Sequence, residues 1–200
     1  MPRLRKTERE KVLVETRQRL LEAAAAEFAR GGYGDANINR ISKAAGFAKG
    51  TIYNYFPSKR ELMLALIDEI AAAHTDAILQ RVESEQDPVR RLELFFSEGF
   101  AFVESQPARA QVVISAVYGP DGRFRARVYQ AYERLFTLIA QDIVETGLTQ
   151  GDFRSVDPDL VTALIMSIYL GSCSQLAPDG KIWLDPDQVV AFILDGLRPR

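Results

Sequence analysis

The chain has one cysteine, Cys173, and one histidine, His74, among its 200 residues. A single thiol excludes an internal disulfide framework and suits a reducing compartment. A lone imidazole is too little for a histidine-rich metal site or a histidine-based triad. No run reaches the ~18 apolar residues that a membrane-spanning helix needs. The basic start Met1-Pro2-Arg3-Leu4-Arg5-Lys6 is not followed by the apolar stretch of a secretion signal. The expectation is a cytoplasmic protein with no metal, no cofactor and no membrane partner. Catalytic signatures are missing as well: there is no G-x-S-x-G, H-E-x-x-H or paired C-x-x-C. The nearest thing to a phosphate loop, GFAKGT over residues 46–51, has its lysine before its second glycine, the wrong order. An enzyme is not expected.

Net charge is scarce too, with 25 Lys/Arg against 27 Asp/Glu. The near-balance hides an asymmetry. Residues 1–60 hold 13 basic against 6 acidic side chains, a net of +7, while residues 61–200 hold 12 against 21, a net of −9. Exposed charges are screened beyond about 8 Å in physiological salt, so an acidic body need not cancel a distant basic face. A basic head on an acidic body is the charge pattern of nucleic-acid binding confined to one end.

What the chain has in quantity is helical periodicity; strand-like alternation is nearly absent. At 47% hydrophobic and 26% charged residues it has an ordinary globular composition. A first helix is expected from Thr7 or Glu10 to Arg30, with Leu20, Leu21, Ala24 and Phe28 as its inner stripe and Gly31-Gly32 as its stop. A short helix over 38–45 follows behind Asn37 as N-cap. A glycine turn at Gly46-Phe47 leads to another short helix over 49–55, which Pro57 closes. Ser58 and Glu61 read as a capping box opening a helix that reaches about Val82. Asp87-Pro88, Asp157-Pro158 and Asp185-Pro186 pair an N-cap with proline at the first helical position and mark three later starts. The fold class expected is all-α, with about nine helices: a three-helix head over 1–60 on a helical body over 61–200.

Residues 38–55, INRISKAAGFAKGTIYNY, form two short helices around a glycine turn, the layout of a helix-turn-helix. The second helix is rich in residues that read or anchor DNA. Lysine pairs with guanine O6/N7, asparagine with adenine, and hydroxyls with phosphates. The longer run G-Y-x(4)-I-x-x-I-x-x-A-A-G-F-x-K-G-T-I-Y-x-Y-F-x-S-K-x-E-L, from Gly32 to Leu62, resembles the N-terminal signature of the TetR/AcrR family of transcriptional regulators. The resemblance implies groove contacts for Lys49, Gly50, Asn54 and Tyr55, and phosphate contacts for Thr51, Tyr53 and Lys59. It also implies base or backbone contacts for Asn39 and Arg40. Ala36 and Ala48 stand where the family usually has threonine and serine, so two phosphate or capping contacts are weakened, and Arg40 offsets them. The basic tail through Arg9 is open to three readings: a free arm, a phosphate contact or a minor-groove contact.

Dimerisation is expected because one short reader helix covers only a few base pairs. The last two helices supply apolar residues on more than one face: Leu160, Leu164 and Ile168, then Val189, Phe192 and Ile193. By periodicity alone these fit an intrachain core equally well; the resemblance implies a homodimer. Between head and interface, aromatic residues are dense. Phe96, Phe100, Val103, Tyr118, Tyr132 and Phe136 are the candidates for an apolar ligand pocket, with core packing as the alternative for each. His74 lies mid-helix between pocket and reader, as a ligand contact or a packed residue. The resemblance implies a repressor that binds a palindromic duplex operator as a homodimer and releases it on binding a small hydrophobic effector. The alternative is an all-helical small-molecule-binding or scaffold protein without specific DNA binding, which would have no use for a head of charge +7.

Overall fold

Helix α1 (Lys6–Asp35) buries Leu20, Leu21, Ala24 and Phe28 completely or nearly so, as a 3.6-residue period demands. The computed structural model describes residues 6–177 and 179–199; of the basic tail through Arg9, residues 1–5 lie outside them and 6–9 begin α1. Gly32 breaks the α1 rod with φ +67°, a conformation that costs glycine little. The regular rod therefore ends at the Gly31-Gly32 stop, as expected. A last turn follows the kink, held by Tyr33, which stacks on Phe28 at 6.1 Å and meets Phe124 edge-on at 4.7 Å.

Helix α2 (Ile38–Ala44) starts at Asn37, whose side chain accepts from the Asn39 N–H at 2.9 Å. The segment expected as a third helix over 49–55 is shorter and tighter. It is a single 3-10 turn, α3 (Thr51–Asn54), with no side-chain cap at Gly50. Three causes converge: alanine at position 48 offers no capping oxygen, Gly50 has low helix propensity, and Pro57 blocks extension. Helix α4 (Lys59–Val82) begins with half of the expected capping box, Ser58 Oγ accepting from the Glu61 N–H at 3.1 Å.

Helices α5 (Pro88–Ser105), α8 (Pro158–Cys173) and α9 (Pro186–Leu197) start at the three Asp-Pro pairs. Asp87, Asp157 and Asp185 each accept a backbone N–H of the first turn. Helix α6 (Pro107–Tyr118) follows α5 after one residue. Asp121 caps the next rod, α7, in the same way without a proline. That rod spans 122–150, bends at Tyr132, and passes through a wider π-wound stretch, Leu138–Glu145, before ending at Gly151 with φ +84°. Counting α7 as one bent helix, the described residues form nine helices. Their only strand-like pairing is the bridge Leu176–Ile182, in a hairpin between α8 and α9.

Helix α4 is the axis of the molecule. Leu62, Leu66, Ile67, Ile70 and Ile78 are fully or almost fully buried along it, between α5 and α7. Helix α1 packs on α6, α9 on α5, and α8 on the π-wound part of α7. Among the described residues no helix is long and apolar enough to cross a membrane.

Candidate functional site

The reader end is built around a tight turn. Gly46 has φ +79°, and a Cβ there would come within 2.7 Å of an Arg19 guanidinium nitrogen. That guanidinium sits 4.8 Å over the Phe47 ring, fixing the turn against α1. Ile41, Ala45, Ile52 and Phe56 are buried beneath it. Lys49, Gly50, Tyr53 and Asn54 remain exposed together on α3 and the turn before it, with Thr51 and Tyr55 half-buried. Asn39 is exposed on the first turn of α2.

Arg40 and Lys59, expected at the DNA, make bonds within the chain. Arg40 Nε donates to Glu27 Oε1 at 2.8 Å, and its terminal nitrogen donates to the Asp35 carbonyl at 3.3 Å. Arg40 above all, with the Asn37 N–H and Arg30 behind it, outweighs burial and holds the Glu27 carboxyl down at about 2. In this protein Arg40 ties α2 to α1. Lys59 Nζ donates to the carbonyls of Gly34 at 2.9 Å and Ala36 at 3.2 Å, and lies 4.8 Å over the Tyr33 ring. It fastens the end of α1 to the start of α4. The signal for both roles is tertiary, since Glu27 lies 13 residues from Arg40 and Gly34 lies 25 from Lys59.

Along the middle of α4 a narrow cavity of about 50 Å³ opens between α4, α5, α6, α7 and α8. His74, Val103, Tyr132 and Phe136 line it, as does Tyr129 at its half-exposed mouth. The other proposed pocket residues are elsewhere. Phe96 and Phe100 pack instead into an aromatic stack around Tyr169, with ring centroids 5.6 and 5.8 Å from it. Tyr118 is 62% exposed at the end of α6 and lines a separate groove beside Gly119 and Pro120. Phe102, Met166, Tyr169 and Cys173 line the cavity although the sequence did not single them out. Phe102 adjoins the predicted Val103 on the same helix. The other three come from α8, whose apolar pattern suggests a dimer face equally well.

His74 is the polar centre of the cavity. Its Nδ1 is 3.2 Å from the Tyr132 hydroxyl and its Nε2 is 2.8 Å from the Tyr169 hydroxyl. Its ring stacks on Phe102 with centroids 4.4 Å apart. Burial lowers its pKa from 6.5 to about 4, so the ring is neutral at physiological pH. Burial also raises Tyr132 and Tyr169 and pushes the Cys173 thiol up to about 12, so all three stay protonated. Gly99 makes room for this cluster: a Cβ there would overlap the Tyr169 hydroxyl.

On the outer surface, Leu160 and Leu164 of α8 and Phe192 of α9 are exposed at 57%, 52% and 76%. Ile168 is half-buried. Val189 and Ile193, expected beside them at an interface, are buried within the chain, since α9 lays that face on α5.

Residues 20–66 match the family described as bacterial regulatory proteins, tetR family. The chain is 27% identical over 169 residues to the nucleoid occlusion factor SlmA of Aliivibrio fischeri, covering 82% of this chain and 86% of that protein. It is 27% identical over 188 residues to the HTH-type transcriptional repressor KstR2 of Mycobacterium tuberculosis, covering 90% and 92%. Among solved structures it is similar to the transcriptional regulator FadR of Bacillus subtilis, crystallised with stearoyl-CoA. That likeness has a TM-score of 0.79 at 19% identity and covers 90% of this chain and 98% of FadR.

Proposed function

The chain belongs to the TetR family and is a DNA-binding transcriptional regulator, and from that premise we propose that it is a repressor controlled by a small apolar effector. Residues 1–60 act as the reader and 61–200 as the receptor and dimerisation unit. Lys49, Gly50, Asn54 and Tyr55 enter the major groove, with Thr51, Tyr53 and Lys59 at the phosphates and Asn39 and Arg40 at its margin. Two copies bind a palindromic operator through α8 and α9. The observation that carries the reading is the placement of α4. One helix, roughly 36 Å long at 1.5 Å per residue, starts beside the reader at Lys59 and carries His74 into the cavity.

An effector lodged beside His74 bears directly on that helix. It lowers DNA affinity only by as much as it prefers the conformation whose two readers are misplaced for successive grooves. The FadR structure holds stearoyl-CoA, which supports a hydrophobic effector with an acyl chain. Selection of bound sequences from a random duplex pool tests the reading. A palindrome whose affinity falls steeply with salt is expected. Recovered sequences with no shared motif would overturn it in favour of a ligand-binding protein without a specific operator.

A further inference from the structure

The cavity specifies more than apolarity. Among its described lining residues there is no lysine, arginine, aspartate or glutamate, and its one histidine is neutral. A carboxylate placed inside would lose its hydration with no opposite charge in the wall, a cost several times that of an ordinary hydrogen bond. The polar groups present are instead uncharged and concentrated on one spot, the Tyr132–His74–Tyr169 cluster.

Proton counting shows what that spot offers. A neutral imidazole donates from one nitrogen and accepts at the other. One tyrosine therefore donates to the unprotonated ring nitrogen; the other sits beside the protonated nitrogen, whose N–H also has the Gly99 carbonyl as an acceptor, and keeps its own hydroxyl proton to give. Tyr169 has a second partner within the protein, the Cys173 thiol. Among the described residues Tyr132 has no second hydrogen-bond partner beyond the ring, and it lines the cavity. When Nδ1 carries the ring proton, Tyr169 donates to Nε2 and the Tyr132 hydroxyl is a free donor in an apolar chamber. An unpaired buried donor of this kind is costly and is satisfied by an incoming acceptor.

Resting on the reading of the cavity as the effector site, we propose that the buried part of the effector is uncharged and carries a carbonyl oxygen that accepts from Tyr132. Neutral ketones, esters and thioesters with an apolar body are the class; free fatty acids are rejected by the absence of a counter-charge. An acyl thioester meets the requirement if its charged remainder stays outside the mouth at Tyr129.

Displacement of the neutral dye Nile red from the full chain tests this with four probes of one chain length: decanoate, methyl decanoate, the corresponding methyl ketone, and decane. At pH 7.5 the ester and ketone are expected to bind at least ~10-fold more tightly than decanoate. Their advantage over decane is expected to shrink by about 3- to 10-fold in Tyr132→Phe, the worth of one neutral hydrogen bond, with decane binding retained. Decanoate binding as tightly as the ester overturns the inference and leaves the cavity as effector site standing. An ester-to-decane ratio unchanged in Tyr132→Phe overturns it in the same way. Failure of all four probes to displace the dye overturns the effector site itself and the inference with it. The ranking on the unmodified protein decides the charge question even if the variant folds poorly.

Discussion

At the scale of single residues, two lysines that look alike in the sequence do different work. Lys49 is exposed and makes no bond with another described residue, whereas Lys59 bridges two carbonyls and a ring. Lys49→Ala is expected to leave stability unchanged and to weaken operator binding by about 1–3 kcal/mol with relaxed specificity at one base pair. Lys59→Ala is expected to lower stability by about 1–2 kcal/mol and to weaken binding to all duplexes alike. Denaturant titration beside a binding series on base-substituted operators separates them. Equal stability of the two variants would show that the bonds of Lys59 are idle. His74 yields a prediction of a different kind. Burial depresses its folded-state pKa to about 4 while the unfolded chain keeps about 6.5. Between these values the unfolded state binds the extra proton, so stability is full above pH 6.5 and is lost as pH falls toward 4. The loss is of order 3 kcal/mol. Urea unfolding at pH 7 and pH 4.5 checks it, because His74→Leu should be flatter across that window than the unmodified protein.

At the scale of elements, α4 is gripped from several sides by charged pairs. Asp68 holds Arg127 of α7 through two bonds of 2.6 Å. Glu69 accepts from Arg109 of α6 at 3.0 Å and from Gln18 of α1 at 3.2 Å, joining reader, lever and receptor at one carboxylate. Exposed pairs contribute little to stability, but those of Glu69 and Arg109 are largely shielded, at 21% and 15% side-chain exposure. Glu69→Gln is expected to leave operator and effector affinities each within about 3-fold, while reducing the factor by which effector weakens operator binding. The reduction should be about 0.5–2 kcal/mol of coupling. Operator titrations with and without saturating ligand measure that factor, and an unchanged value removes Glu69 from the path. The π-wound stretch Leu138–Glu145 is a second element to which no sequence signal pointed. Such windings interrupt regular helices near functional sites, and this one begins two residues after Phe136 at the cavity mouth.

At the scale of the whole molecule, the exposed face of Leu160, Leu164 and Phe192 is the candidate seam between two copies. Phe192→Arg is expected to leave the fold intact, because the side chain is largely solvent-facing, and to yield a monomer in sedimentation. Such a monomer should lose most of its affinity for a two-half-site operator and show about half the salt slope, having half as many phosphate contacts. A variant that sediments as a dimer sinks the assignment of this face. The charge split of +7 and −9 fits the same arrangement, with attraction to phosphate at one end and repulsion from it at the other.

The sequence by itself determined the all-helical class, most helix starts with their caps, and the helix-turn-helix layout. Each is written in local signals: the glycine at 46 with its left-handed backbone, the aspartates before three prolines, and the run from Gly32 to Leu62. These act over a few residues, where backbone geometry and hydrogen bonding decide. The tertiary structure decided which equivalent-looking residues face what. Periodicity could not tell Phe100 in the core from Phe102 on the cavity, or Val189 in the core from Phe192 in solvent, since each pair shares one helix and one chemistry. Nor could it pair Arg40 with Glu27, Lys59 with the end of α1, or His74 with two tyrosines 58 and 95 residues away. Burial and pairing of that kind depend on which elements pack together, and that choice belongs to the whole chain.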